Sequence, residues 1–140
     1  MSDQLINIAK AQIIAYNEKD WDKVRASTTA DLVYDEAATH RKVEGIDQVL
    51  EVWQGWAAAL PDSQGTIHNA FVSDDNVIIE LTWRGSQTGP MQTPDGEIPA
   101  TGKSIEMRAC QIIEIEDGKV KSIRQYFDMM TMMQQLGLAQ

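Results

Sequence analysis

The chain has 140 residues, 43% of them hydrophobic and 24% charged, and a formal net charge of −9. That length and balance suit a single folded domain over residues 1–140, neither low-complexity nor disordered. The acidic surplus argues against a nucleic-acid or anionic-membrane partner, the lone cysteine excludes an internal disulfide and a thiol zinc cluster, and two histidines far apart in sequence argue against a histidine-rich metal site.

No apolar run reaches the roughly 18 residues of a membrane span. The start of the chain has no basic segment ahead of an apolar one. The expectation is a soluble, cytoplasmic protein. Ser2 is read as the N-cap of a first helix over 3–18, with Leu5, Ile8, Ala9, Ile13 and Tyr16 at helical spacing. Asp20 caps a short second helix over 21–27, which packs through Trp21 and Val24. A short strand follows at 32–36, then a loop with His40 and an edge strand at 41–43. Gly45 precedes a third helix over 46–60, whose stripe of Ile46, Val49, Leu50, Trp53, Ala57 and Leu60 is amphipathic.

From Gln64 onward the period changes to that of strands. Segments 66–72 and 77–87 flank the turn Ser73-Asp74-Asp75-Asn76, and 103–116 and 120–127 flank Asp117-Gly118. Residues 89–102 carry Pro90, Pro94, Asp95-Gly96 and Pro99 and read as a long irregular loop, a candidate rim or lid. A closing helix carries Met129, Met130, Met132, Met133 and Leu136 and stops at Gly137. Three helices followed by a long antiparallel or mixed sheet make an α+β fold, with the sheet curved over the helices as a cone open at one end.

The strand-to-helix junction holds the first candidate site residue, Asp128. A carboxylate there either caps the helix or, in a half-apolar pocket, serves as a general base with a raised pKa. Tyr126 and Arg124 share its strand face, which makes Tyr126 a candidate oxyanion donor. Arg84 is a candidate to bind an oxyanion or orient Asp128. Tyr16, Tyr34, Trp53, Trp56 and Trp83 suit either core or cavity wall, as do the methionines, Met130 included. His68 alternates along its strand with Ile67 and Asn69 as a polar contact. Nothing about Cys110 suggests a reactive thiolate.

Several segments carry a resemblance: Asn17-Glu18-Lys19-Asp20-Trp21, Ala59-Leu60-Pro61-Asp62, Trp83-Arg84-Gly85-Ser86-Gln87-Thr88-Gly89, Pro99-Ala100-Thr101-Gly102-Lys103, Glu116-Asp117-Gly118-Lys119-Val120, and Asp128 with Gln135-Leu136-Gly137. Through them the chain resembles the NTF2-like superfamily, and within it the SnoaL-like polyketide cyclases. The resemblance implies a cone with a C-terminal helix at its mouth and an internal apolar cavity for a small-molecule ligand. It also implies a homodimer paired through the outer sheet face and no cofactor or metal.

In SnoaL-like cyclases a pocket aspartate on the last strand moves the proton of an intramolecular aldol condensation, and Asp128 stands at the matching position. Their activating histidine has no counterpart on the neighbouring strand, where Ile105, Met107, Ala109, Gln111 and Ile113 share a face and Gln111 is the polar inward candidate. The expected catalytic set is Asp128, Arg84 and Tyr126. The expected pocket is Tyr16, Tyr34, Trp53, His68, Trp83 and Ser86, with Met107, Gln111 and Met130.

Arg124-Gln125-Tyr126-Phe127-Asp128 and Thr82-Trp83-Arg84-Gly85-Ser86 are also similar to limonene-epoxide-hydrolase-like sequences. Those use an Asp–Arg–Asp relay, and Ser86 replaces its second carboxylate here. A serine hydroxyl holds its proton too tightly for that acid role. The reading is a cofactor-free acid/base enzyme on a small apolar carbonyl compound, of cyclase or isomerase type. The alternatives are a non-catalytic ligand-binding or dimerisation module and an epoxide hydrolase with an incomplete relay.

Overall fold

In the computed structural model, which describes residues 2–138, apolar residues spaced three and four apart build the first helix, α1 (Ser2–Asn17). Ala9, Ile13 and Tyr16 are buried, and so is Gln12 on the same side. The helix already includes Ser2, and the capping role expected of that side chain lies outside the described structure. Asp20 does cap α2 (Trp21–Ser27), accepting from the Lys23 N–H at 3.2 Å.

β1 (Thr28–Glu36) starts four residues earlier than its apolar run indicates. A 3₁₀ turn (Ala37–Thr39) and β2 (Arg41–Glu44) follow, and then α3 (Ile46–Ala59) enters from Gly45 at φ 92°. The sheet is completed by β3 (Gln64–Ser73), β4 (Asn76–Ser86), β7 (Ser104–Glu116) and β8 (Lys119–Phe127). α4 (Met129–Gln135) ends at Gly137, whose φ of 74° suits a helix-terminating glycine.

Segment 89–102 is not an irregular loop. It folds into a small hairpin of β5 (Met91–Thr93) and β6 (Gly96–Ile98). Gln87, fully buried, ties it down: its amide nitrogen donates to the Ile98 and Pro99 carbonyls, and its oxygen accepts from the Thr101 hydroxyl at 2.8 Å.

The six-stranded sheet runs β2-β1-β8-β7-β4-β3 and is antiparallel except where β1 lies parallel to β8. α1 and α3 cover its inner face around Ile13, Leu32, Val49, Leu81 and Ile113. A second cluster joins α3, the small hairpin and α4 through Leu60, Met91, Met107, Met132 and Leu136.

Bulges in β8 and β3 set the phase of those two strands. In β8, Val120 pairs with Ile115 and Ser122 with Glu114, so Lys121 is the extra residue. In β3, Ile67 pairs with Leu81 and Asn69 with Glu80, leaving His68 extra. Among the described residues no helix is long and apolar enough to cross a membrane.

Gly89 shows how tightly the hairpin root packs on α3. Its N–H donates to the Ala59 carbonyl at 3.1 Å, and an added Cβ would strike the Ala58 carbonyl oxygen. Gly89→Ala is expected to destabilise the fold by ~1–3 kcal/mol, read as a lower urea midpoint at unchanged m-value. An unaltered midpoint would mean that this root moves freely from α3.

Candidate functional site

β-Strand alternation sends every second residue of β4, β7 and β8 to the inner face, where α1 and α3 leave a gap. Tyr16, Trp53, Trp56 and Trp83 wall that gap, with Met107 and Phe127 toward α4. The hollow holds about 650 Å³ counting the space at its mouth. It is a slot with mostly apolar walls. Edge-to-face contacts hold its walls: Tyr16 on Trp83 at 5.3 Å, Tyr34 on Trp53 at 5.4 Å and Trp56 on Phe127 at 6.1 Å between ring centres.

A strip of polar groups lines the slot. Gln12 Nε2 donates to Gln111 Oε1 (3.0 Å), Gln111 Nε2 to Gln125 Oε1 (2.8 Å) and Gln125 Nε2 to Tyr34 Oη (2.8 Å). Trp83 Nε1 also donates to Gln125 Oε1 (2.9 Å). The Tyr34 hydroxyl donates to Glu36 Oε2 at 2.6 Å, and the Trp56 indole N–H donates to the same oxygen at 2.8 Å. Glu36 Oε1 takes Thr39 Oγ1 (2.6 Å) and Arg41 Nη2 (2.8 Å). Glu36 is 0% exposed, so a buried carboxylate with four donors and an arginine partner holds one end of the strip. On the opposite wall Tyr16 Oη and Ser63 Oγ share a proton at 2.7 Å, with Lys19 Nζ on the Ser63 carbonyl.

Burial pushes the Tyr34 phenol well above its usual range, reinforced by the Glu36 charge. Burial likewise pushes Tyr16 up to about 12, partly offset by the Ser63 hydrogen bond. Both phenols are neutral over the ordinary pH range. Among the described residues, the slot lining contains no carboxylate, imidazole, amine or thiol, and no group of three or more His, Cys, Asp or Glu is placed to hold a metal ion.

Of the residues expected from sequence, Tyr16, Tyr34, Trp53, Trp83, Met107 and Gln111 line the slot. Arg84 reaches its rim, but the guanidinium turns outward to Glu106 (2.6 Å) and Thr66 (3.4 Å) rather than to Asp128. The expectation of an inward acid is corrected. Asp128 is exposed on the opposite face of the sheet and caps α4, accepting from Met130 N–H (3.0 Å) and Thr131 Oγ1 (2.8 Å). The Thr131 hydroxyl is the main reason its pKa lies below the usual carboxylate value.

Tyr126, 45% exposed, sits on that outer face too, in a shallow groove with His68 and Asp128. His68 bonds the Thr82 hydroxyl there at 2.7 Å. Ser86 pairs with Ser104, and Met130 is 58% exposed. The bulge at Lys121 is the physical reason for the outward turn: buried Val120 is followed inward by Ile123 and Gln125.

Gln12, Ser63, Gln125 and Glu36 are the polar residues that sequence reasoning passed over. Gln12 carries a faint signal, a polar residue between the apolar positions Ala9, Ile13 and Tyr16 of a helix stripe. Glu36 carries none, since a glutamate at a strand end is ordinarily solvated.

A family model for SnoaL-like polyketide cyclases matches residues 7–136. In shape the chain is similar to a protein of Jannaschia sp. CCS1 provisionally named a SnoaL-like polyketide cyclase, with TM-score 0.87 and 20% identity, covering 99% of this chain and 95% of that one. It is similar to IdmH of Streptomyces antibioticus, provisionally a polyketide cyclase, with TM-score 0.80 and 23% identity over 96% and 99%. An LEH-like epoxide hydrolase of M. tuberculosis gives TM-score 0.75 and 21% identity over 96% and 90%. At such identities these likenesses speak to the fold, which is the α+β NTF2-like fold that the resemblance implied. Among curated proteins no match by sequence was found.

Two outcomes follow from the electrostatics. Asp128→Asn is expected to lower Tm slightly without touching ligand binding in the slot. Because the folded pKa is depressed, the cap's contribution is full above ~3.9 and is lost as pH falls through the lower folded value, so the variant and parent should converge in acid. Tyr16 has the opposite sign. Its folded pKa is raised, so its contribution is full below ~10 and is lost as pH climbs through about 12. In Tyr16→Phe, urea unfolding should show a shallower loss of stability across that alkaline window.

Proposed function

Because the chain belongs to the SnoaL-like polyketide cyclase family, we propose that its slot takes a flat, largely apolar carbonyl compound and folds it for a cofactor-free ring closure or isomerisation. The supporting observation is the strip of neutral amides, Gln12, Gln111 and Gln125, set between aromatic walls. Such a site works by holding the reacting carbons together and by presenting hydrogen-bond donors to oxygen as charge builds on it.

No protein base is needed for an aldol closure that starts from the enol. The enol carbon bonds to the carbonyl carbon, the enol oxygen becomes a ketone, and its proton passes to the new alkoxide, which ends as a hydroxyl. Gln111 and Gln125 each use one amide N–H within the strip and keep a second, which would donate to the oxygens that exchange charge in that step. With this reading goes the expectation of a cytoplasmic homodimer, paired across the outer sheet face where Phe71 and Tyr126 are exposed.

A second reading, binding without chemistry, is favoured by the lack of a carboxylate, imidazole, amine or thiol among the described lining residues. One experiment separates the two. An aryl-substituted diketone able to close a six-membered ring is titrated against tryptophan fluorescence, then followed by chromatography for its ring-closed isomer. Conversion is expected to be flat between about pH 5 and 9, because no lining group titrates there, and to drop tenfold or more in Gln125→Leu. A bell-shaped profile abolished by Asp128→Asn would return the proton work to that carboxylate. Tight binding with no isomer formed would leave the chain a binder.

A further inference from the structure

The directions of the hydrogen bonds along the strip follow from the donor inventory of its members, independent of how each amide is drawn. Trp83 and Trp56 indoles only donate, and so does the Arg41 guanidinium. Glu36 accepts from Arg41, Thr39 and Trp56, so Tyr34 is left to donate to it and can only accept from its other side. The Gln125 group facing Tyr34 must then be its NH2. The Gln125 group facing the Trp83 indole must be its oxygen, an independent constraint with the same answer. Gln111 therefore turns its NH2 to Gln125 and its oxygen to Gln12, and Gln12 turns its NH2 inward to Gln111.

Every bond points toward Glu36, so the strip has a polarity, and its far end is a carbonyl oxygen. Gln12 is 3% exposed and lines the slot. Among the described residues nothing donates to its Oε1. That oxygen is also absent from the sealed-off polar atoms without partners, which are Thr29 Oγ1 and Arg41 Nε. It is not sealed off, and because Gln12 lines the slot, a molecule held there can supply its partner. A buried amide oxygen in a narrow apolar space is costly to leave dry.

We propose that Gln12 is a specificity-determining residue which selects ligands carrying a hydroxyl donor, a phenol or an enol, on a flat apolar frame. Glu36 is the positioning residue that fixes this preference from the far end of the strip. The hydroxyl donates to Gln12 Oε1 while a neighbouring ligand oxygen accepts a spare N–H of Gln111 or Gln125. A methyl ether of the same frame keeps the shape and the acceptor but leaves the Gln12 oxygen unpaired. The inference rests on the slot being the binding site, and the test is arranged so that the two can fail separately.

The probes are naphthalene, 2-naphthol and 2-methoxynaphthalene, titrated against tryptophan fluorescence at neutral pH, where the naphthol is uncharged. The parent protein is expected to bind 2-naphthol about tenfold more tightly than its methyl ether. In Gln12→Met, which conserves volume, that preference should shrink below about threefold, read as the ratio of naphthol to ether affinity within the variant so that any general change in binding cancels. Equal binding of naphthol and ether by the parent overturns the proposal even if the variant does not fold. So does a preference that survives in Gln12→Met. If none of the three binds, the slot is not a site for flat aromatic molecules, and both readings fall together.

Discussion

The buried Glu36 carboxylate is the group on which the interior depends. It draws together Tyr34 from its own strand, Thr39 and Arg41 from the turn and edge strand beyond it, and Trp56 from α3. Removing it would leave the Arg41 guanidinium, whose side chain is 18% exposed, without its partner, and uncompensated buried charge of that kind costs roughly 3–5 kcal/mol. Its wider effect is directional. A charged acceptor at one end of a row of amides makes every amide turn the same way, and a row with one direction offers a ligand a defined sequence of donors and acceptors. Arg41 Nε, buried with no partner, shows that the cluster is not perfectly satisfied. The arginine gives up one donor so that its Nη2 can lie on the carboxylate.

Much of the fold was legible in the sequence because period and punctuation agree there. The α3 stripe, the Asp117-Gly118 turn and the Gly137 stop each describe a local rule that tertiary packing leaves intact, and Asp117 and Gly118 do adopt positive φ at 52° and 79°. The small hairpin at Met91–Ile98 was hidden because its strands are three residues each, too short to show a period. What holds it is a fully buried glutamine, Gln87, and burial of that kind leaves no mark on the residue name.

The site was legible only in part, and β8 shows why. Counted in twos from buried Val120, residues 124, 126 and 128 fall on the inner face. One extra residue at Lys121 reverses the count and brings Gln125 and Phe127 inside instead. A bulge of one ordinary lysine has no sequence signature, so no reading by alternation could place that strand. β7 carries no such break through its inner run, and Met107 and Gln111 face the slot as their spacing implies. Asp128 also had two sound roles at its position, cap and base. The geometry places it as a cap, with Thr131 and the Met130 N–H as its partners.

The same displacement gives the interior its chemical character. With the phase of β8 reversed, an arginine, a tyrosine and an aspartate move to the outer face, and a glutamine and a phenylalanine replace them within. A slot that would have held a carboxylate holds amides, which carry no charge and do not titrate. The ion pair behind the polar strip, Glu36 with Arg41, lies outside the lining, and Glu36 reaches the slot through the lining residues Tyr34 and Trp56. Recognition by shape and hydrogen-bond direction then follows from the fold itself, whereas proton transfer to the protein has no group among the lining residues to receive it.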